Sequence, residues 1–233
     1  MGTLTRPVEL LVRGIRNPGA IPTYLYRRLS SKYPKKTVEN GVVTWNTDAG
    51  FGWGDGETPP QISAINYHMV QALRTDLGDR TYDHALEVGC GYGRVTPWLS
   101  EFATSVTGID PNETVLSIGE EYYPNVGTVA ATAQDMPIAD DAIDLLVTRS
   151  VLQHIPPGEI EDAVGEMVRI ATDDARIVIC EATSGQGSET AYPRPKGEYA
   201  ELFEPFTLKQ HWQRETHAKT RQHHRTRLLF ERE

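Results

Sequence analysis

The sequence predicts an α/β fold: a doubly wound, mostly parallel, seven-stranded sheet with an antiparallel C-terminal edge strand. From about residue 84, short apolar runs alternate with segments whose apolar residues recur at helical spacing. Such alternation is typical of a parallel sheet covered by helices on both faces. Near the C-terminus two strand-like runs follow one another without a helix between them. They are therefore expected to pair antiparallel at the sheet edge.

The predicted strands are short and rich in apolar residues. In chain order they are Ala85–Gly89, Ser105–Ile109, Val126–Ala131, Ile143–Thr148, Arg176–Cys180, Arg214–Thr220 and Thr226–Glu231. The predicted helices are Ile62–Leu77, Arg94–Ala103, a helix that begins near Pro111 or Asn112, and Ile160–Ala171. Gly78 is expected to end the first helix, and Pro97 is tolerated in the first turn of the second.

The length of 233 residues fits one domain with a modest extension. We predict a basic extension with an aromatic, glycine-rich lid at residues 1–60, and the main domain at residues 61–233. No apolar run approaches the roughly 18–20 residues needed to cross a bilayer, and no secretory signal is recognised, which favours a cytoplasmic protein. Cys90 and Cys180 are interpreted as packing residues, and a disulfide is the alternative.

Charge is segregated along the chain. Residues 1–38 hold eight Lys or Arg and one acid, residues 39–208 hold eight and 28, and residues 209–233 hold seven and three. Only six of the 23 basic residues are lysine. An acidic, lysine-poor body indicates a halophilic source, whereas an ordinary acidic protein is the alternative. No nucleic acid partner is expected, because this body would repel phosphates.

The basic lead segment, residues 1–38, has three interpretations. Its Lys and Arg side chains lie among apolar residues such as Leu10, Ile15 and Tyr24, a pattern that suits an anionic lipid surface. The segment would then place the protein at the inner face of the membrane. It could instead dock an anionic substrate or partner, or form a mobile extension. The sequence leaves the oligomeric state open.

A glycine cluster, Gly89-Cys-Gly-Tyr-Gly93, follows the first predicted strand of the alternating region. Ligands of doubly wound sheets bind beyond the carboxyl ends of the strands, and glycine lets the backbone turn sharply and approach a ligand. The GxGxG spacing differs from the GxGxxG that seats a dinucleotide pyrophosphate. Glu87, two residues upstream, would repel a pyrophosphate but suits a sulfonium cofactor that carries an ammonium group.

With these residues in view, the chain resembles class I S-adenosylmethionine-dependent methyltransferases, particularly the small-molecule branch similar to ubiquinone-biosynthesis enzymes. The likeness covers about residues 82–183. Its four matches are Glu87–Gly93, Gly108–Asp110, Ala133–Pro137, and the run Ile138–Leu145 with the exit Ser150–Ile155. The resemblance implies an S-adenosylmethionine-dependent enzyme with a Rossmann-like methyltransferase fold.

The resemblance also implies which residues bind the cofactor. The glycine segment would cradle its methionine part, Asp110 would hold the ribose hydroxyls, and Asp135 with Met136 would contact adenine. The full set is Glu87, Gly89, Gly91, Gly93, Asp110, Asp135, Met136 and Ser150. Structural alternatives stay open: Asp110 as the N-cap of the next helix, and Glu87 as a partner of a backbone amide.

Two residues are candidates for catalysis. His154 follows the fourth strand of the alternating region and is a candidate general base, because histidine titrates near neutral pH. Its alternative is a capping or packing role before Pro156. If the acceptor is a carboxylate, no base is needed and His154 becomes an orienting donor. Glu181, just after the fifth strand, is a candidate group for polarising the acceptor.

Acceptor contacts are predicted from side chains outside these motifs. The aromatic residues of the lid either stack on a ring or sugar, or anchor the lead segment. They are Trp45, Phe51 and Trp53. Arg194 and Lys196 either clamp an anionic acceptor or are solvated loop charges. The tail histidines are interpreted as a basic surface, and no metal site is predicted. They are His211, His217, His223 and His224.

The predicted function is methyl transfer from S-adenosylmethionine to an oxygen of a small-molecule or lipid-linked glycan acceptor. A uronic acid carboxylate is the specific hypothesis, because the chain is also similar to archaeal methyltransferases of surface-glycan assembly. The alternative from another class is a non-catalytic S-adenosylmethionine-binding module that acts as a partner or scaffold. A nicotinamide-dependent oxidoreductase is disfavoured by the GxGxG spacing.

Overall fold

The computed structural model describes residues 36–39, 42–45, 59–185, 187, 191–213 and 225–233. Several predictions therefore lie outside the described residues: those for residues 1–35, for the lid side chains Phe51 and Trp53, and for the strand Arg214–Thr220. The division at residue 60 stays a prediction. No helix in the described part of the chain is long and apolar enough to span a membrane.

The described chain alternates strands and helices over most of its length. Its elements are β1 Lys36–Glu39, β2 Val42–Trp45, α1 Pro59–Leu77, β3 Tyr82–Val88, β4 Ala103–Asp110, α2 Glu113–Tyr122, β5 Gly127–Ala130, β6 Ile143–Arg149, α3 Ile160–Ile170, β7 Ala171–Ala182, α4 Lys196–Leu202, β8 Thr207–Gln213 and β9 Arg225–Glu231. Two 3₁₀ helices, Thr96–Glu101 and Leu152–His154, follow β3 and β6. Strands β1 and β2 pair with each other in a separate two-stranded sheet.

The main sheet has seven strands in the order β5-β4-β3-β6-β7-β9-β8. Strands β3 to β7 are parallel to one another, whereas β9 is antiparallel to both β7 and β8. The predicted fold class is confirmed. The C-terminal strand β9 lies one position inside the sheet, and β8 forms the edge. The tail strand that pairs with β9 is β8, Thr207–Gln213, and it ends just before the predicted strand Arg214–Thr220.

Local signals explain where the helices begin and end. Gly78, with a φ of +63°, donates from its backbone N–H to the Arg74 carbonyl and ends α1 as predicted. Asn112 caps α2 by accepting from the Val115 amide at 3.2 Å. The prediction of a helix over Arg94–Ala103 is too long, because the glycine turn extends to Gly93 and only a short 3₁₀ helix follows.

The core has one layer on each face of the sheet, because successive side chains of a strand point to opposite faces. Leu86 and Leu146 pack with α3 and α4, whereas Ala85 and Leu145 pack with α1. All four are 0% exposed. Both layers fix the parallel strands in register, so that the carboxyl ends of β3, β4 and β6 meet at one rim of the sheet.

Candidate active site

The glycine turn lies at the carboxyl end of β3. Gly89, Gly91 and Gly93 all have positive φ angles, of 71°, 57° and 76°. The backbone amides of Gly89 and Cys90 both donate to the Ile109 carbonyl, at 2.7 and 2.9 Å, so the turn is fixed to the end of β4. A residue with a Cβ strains this conformation, which explains why glycine recurs at alternate positions.

Asp110 is the last residue of β4, and its carboxylate joins two backbone segments. One oxygen, Oδ2, accepts from the Gly91 amide at 2.9 Å, and Oδ1 accepts from the Asn112 amide at 3.0 Å. Burial raises the pKa of this carboxyl, and the two amide hydrogen bonds oppose the rise. The alternative that Asp110 caps α2 is wrong, because Asn112 does so. Each carboxylate oxygen retains acceptor capacity for a hydroxyl group.

Glu87 lies in the same cluster and is 3% exposed. Its Oε2 accepts a hydrogen bond from the Thr96 hydroxyl at 2.6 Å. Burial raises the pKa of the Glu87 carboxyl to about 7, against the opposing effects of the Thr96 hydrogen bond and the positive charge of Arg94. The nearby Asp110 carboxylate raises it further. A buried carboxyl of this kind gains from a cationic ligand that favours its ionised form.

Ser150 follows β6 at the same rim. Its φ of +61° is rare for a residue with a side chain, and its Oγ is buried without a hydrogen-bond partner among the described residues. A strained backbone and an unsatisfied hydroxyl are features of ligand-binding sites, because a ligand can supply the missing hydrogen bond. This geometry agrees with the predicted cofactor contact, which stays a prediction.

The segment Ala133–Pro137 follows β5 and carries the two predicted adenine contacts. Asp135 is exposed, whereas Met136 is 2% exposed and packs in the core layer beside Leu152. The Met136 side chain therefore stabilises the segment, and any contact of these two residues with adenine stays a prediction.

Arg169 of α3 fixes this segment from the side. Its guanidinium donates to the Met136 and Ile138 carbonyls at 3.1 and 2.9 Å, and it forms ion pairs with Glu166 and Asp140. Glu166 in turn accepts from the Met136 amide at 3.0 Å. The hydrogen bond from Arg169 holds the pKa of the Glu166 carboxyl below its ordinary value.

Replacing Arg169 with methionine is therefore expected to lower the free energy of unfolding by about 1–3 kcal/mol, because two backbone carbonyls lose a charged donor. Chemical denaturation measures this. Arg74→Met is the matched control: it removes an exposed Arg–Glu pair whose loss costs about 0–1 kcal/mol. Equal losses in the two variants would contradict the role assigned to Arg169.

The catalytic candidate Glu181 is 0% exposed and accepts hydrogen bonds from its surroundings. Its Oε1 accepts from the Thr148 hydroxyl at 2.9 Å and the Val151 amide at 3.0 Å, and its Oε2 accepts from the Gln153 amide at 3.1 Å. Burial raises the pKa of the carboxyl, and these bonds oppose the rise. The geometry favours a positioning role over contact with an acceptor.

Arg194 binds two backbone carbonyls of residues 151–155, the segment whose backbone amides bind Glu181. Its guanidinium donates to the Leu152 and Ile155 carbonyls, each at 2.7 Å, and the residue is 3% exposed. Both predicted alternatives for Arg194 are therefore wrong. Its guanidinium already binds backbone oxygens and forms an ion pair with Glu198, so it does not clamp an anionic acceptor, and its burial excludes a solvated loop charge. Lys196 is exposed, and its Nζ lies 3.1 Å from His211 Nε2.

Sequence reasoning missed three residues that shape the rim: Thr96, Gln153 and Arg169. Thr96 and Gln153 are buried and contact Glu87 and Glu181, respectively. The only available signal was proximity in sequence, since Thr96 follows the glycine turn and Gln153 precedes His154. Neither residue type by itself indicates such a partner.

Three observations indicate that this rim of the sheet suits a ligand with a nucleoside and a sulfonium group. Its backbone turn is open only to glycine, a carboxylate joins the ends of two strands, and Ser150 Oγ is an unsatisfied buried hydroxyl. The buried carboxyl of Glu87 provides a counterion for a cationic ligand. A dinucleotide pyrophosphate would instead meet two carboxylates.

Known proteins share both sequence and fold with this chain. Residues 86–179 match the family model described as a methyltransferase domain. The chain is 30% identical over 155 residues to the sterol 4-C-methyltransferase strm-1 of Caenorhabditis elegans, which covers 59% of this chain and 44% of that protein. It is 26% identical over 130 residues to the ubiquinone/menaquinone biosynthesis C-methyltransferase UbiE of Campylobacter jejuni, with coverages of 53% and 51%.

The chain thus spans about half the length of the curated relatives it matches. Among solved structures, the PH0226 protein of Pyrococcus horikoshii OT3 superposes with a TM-score of 0.65 at 14% identity, over 80% of this chain and 98% of that one. This likeness concerns the fold alone. Residues 86–179 are therefore similar in sequence to a methyltransferase domain, and the fold of the chain is similar to that of PH0226.

Proposed function

We propose that this protein transfers a methyl group from S-adenosylmethionine to an oxygen of a small-molecule or lipid-linked glycan acceptor, with a uronic acid carboxylate as the specific acceptor. The observation that carries the donor half is the Asp110 carboxylate, bound to the Gly91 amide at the end of β4. This carboxylate can accept hydrogen bonds from hydroxyl groups, and it lies beside a glycine turn whose backbone a ligand can approach closely.

The chain's own residues would bind and orient the reactants. Asp110 would accept hydrogen bonds from the ribose hydroxyls, and the glycine turn would leave room for the methionine part, with Glu87 as its counterion. S-adenosylmethionine, when bound, supplies an electrophilic methyl group that its sulfonium charge activates. The protein's remaining tasks are to align the acceptor oxygen with that methyl group and to exclude water.

The acceptor half of the proposal rests on charge. The basic lead segment suits an anionic lipid surface, which would bring the domain to a lipid-linked substrate. Two relatives are named for a sterol and for ubiquinone and menaquinone, which supports an acceptor that is a small molecule or a lipid. A carboxylate acceptor is already ionised at neutral pH, so it needs no base.

Radiolabelled methyl transfer tests the acceptor. We expect label to enter a base-labile ester on a lipid-linked glycan that ends in a uronic acid, and not the matching glycan that ends in a neutral hexose. A free uronic acid, given in parallel, separates the contribution of the lipid. Transfer to the neutral glycan alone, or to a quinol ring carbon alone, would refute the carboxylate proposal while leaving the methyltransferase assignment in place.

One observation favours the second candidate, a non-catalytic binding module. Both catalytic candidates are engaged within the protein, since Glu181 and His154 Nε2 each lie against nitrogen donors. A module would bind S-adenosylmethionine yet transfer no label to any acceptor class, and the same assay distinguishes the two.

A further inference from the structure

Gln153 uses every polar group it has within the protein, and it is 8% exposed. Its backbone amide donates to Glu181, and its backbone carbonyl accepts from the Tyr192 amide at 2.6 Å. Its side-chain Oε1 accepts from the Ala182 amide at 2.9 Å, and its Nε2 lies 3.1 Å from His154 Nε2. The side chain is therefore held at both ends.

This arrangement determines which ring nitrogen of His154 carries the proton. Only an oxygen can accept from the Ala182 amide, so the NH₂ group of Gln153 must face the imidazole. An amide NH₂ group is a donor, so His154 Nε2 must accept. A neutral imidazole that accepts at Nε2 carries its proton on Nδ1.

Further contacts fix the backbone that carries Gln153 and His154. Glu181 binds the amides of Val151 and Gln153, while Arg194 binds the carbonyls of Leu152 and Ile155. The short helix that carries His154 is thus fixed through its N–H groups by a buried acid and through its C=O groups by a buried base. Protonation of His154 Nε2 would set two donors against each other.

We propose that Gln153 is a positioning residue that holds His154 as its Nδ1–H tautomer, so that Nε2 is occupied and does not act as a general base. The inference rests on the proposed function for its consequence: the acceptor atom must arrive ionised, as a carboxylate does. The tautomer itself depends on neither the cofactor nor the acceptor.

Nuclear magnetic resonance tests the tautomer directly. Long-range ¹H–¹⁵N correlation spectra of the full chain, with His154 assigned by the signal that His154→Asn removes, are expected to show a neutral ring protonated on Nδ1 at pH 8. Gln153→Glu keeps an acceptor for the Ala182 amide but replaces the donor beside Nε2 with an oxygen. The proton is therefore expected to move to Nε2. Gln71→Glu, the same charge change on α1, is expected to leave the Nδ1–H tautomer.

A ring protonated on Nε2 in the wild-type protein, or a tautomer that Gln153→Glu leaves unchanged, would overturn the proposal. A second readout uses methyl transfer. Asparagine places a side-chain N–H near the position of Nδ1 but cannot act as a base, so His154→Asn is expected to keep the rate within about tenfold, whereas His154→Leu loses more. A fall of about 10²–10⁴ in His154→Asn would mark a general base and refute the inference. If the wild-type protein transfers no methyl group, the spectra still decide the tautomer.

Discussion

Replacing Gly89 with alanine is expected to lower the free energy of unfolding by about 2–5 kcal/mol and to abolish binding of S-adenosylmethionine. A Cβ at this position would lie 2.2 Å from Val151 Cγ2 and 2.8 Å from its Cγ1. Overpacking costs about 1–3 kcal/mol, and a φ of +71° adds about 1–2 kcal/mol. Val151 cannot easily retreat, because Glu181 holds its backbone amide. Chemical denaturation and calorimetric titration measure the two effects.

Two further variants isolate the cause. Gly78→Ala has the same backbone strain, with a φ of +63°, but its Cβ would meet nothing within 4 Å. It is expected to cost only about 1–2 kcal/mol and to leave binding intact. Adding Val151→Ala to Gly89→Ala removes the atoms in closest conflict and is expected to recover part of the loss. If Gly89→Ala behaved like Gly78→Ala, the close approach of the rim segments would be disproved.

The second large effect is expected from Glu87. Its pKa is about 7 in the folded protein against an ordinary value of 4.5, because burial disfavours the charged form. Between these values the unfolded chain releases the proton that the folded chain keeps, so the free energy of unfolding falls as the pH rises. Across that range Glu87 is expected to remove about 3 kcal/mol, and the loss is complete above pH 7.

Glu87→Gln removes the titrating group. In protein without ligand, the variant is expected to be less sensitive to pH than the wild type between about pH 4.5 and 7. Its binding of S-adenosylmethionine is expected to weaken, because the counterion is lost. Glu201→Gln makes the same change at an exposed position of α4 and should keep the wild-type profile. Parallel profiles for the wild type and Glu87→Gln from denaturation at several pH values would contradict the assignment.

The positions of most strands and helices along the chain, and that of the glycine turn, follow from local signals. Apolar periodicity marks β3 and α3, and Gly89, Gly91 and Gly93 mark a backbone that few other residues adopt. Asp110 was indicated by the resemblance to the methyltransferase family, in which an acidic residue ends the second strand of the alternating region. Each of these signals lies within a short stretch of the sequence.

The contacts that hold His154 were not predictable in this way. Gln153 meets Ala182 across 29 positions, and Arg194 meets Leu152 across 42. Such pairs depend on the folded path of the chain and on side-chain orientation. The charge of Arg194 suggested an anionic ligand, but in the fold its donors bind carbonyl oxygens at distances of 2.7 Å. Composition indicates which groups are present and not which of them remain available.

The central claim is that one rim of the sheet binds S-adenosylmethionine through the Asp110 carboxylate. Calorimetric titration of the cofactor into the full chain, beside Asp110→Ala and the exposed control Asp83→Ala, tests it most directly. We predict one saturable site in the wild type and in Asp83→Ala. Asp110→Ala is predicted to weaken binding about 10- to 100-fold, as the loss of hydrogen bonds to a charged group requires. No binding by the wild type, or equal affinity in all three proteins, would contradict the account.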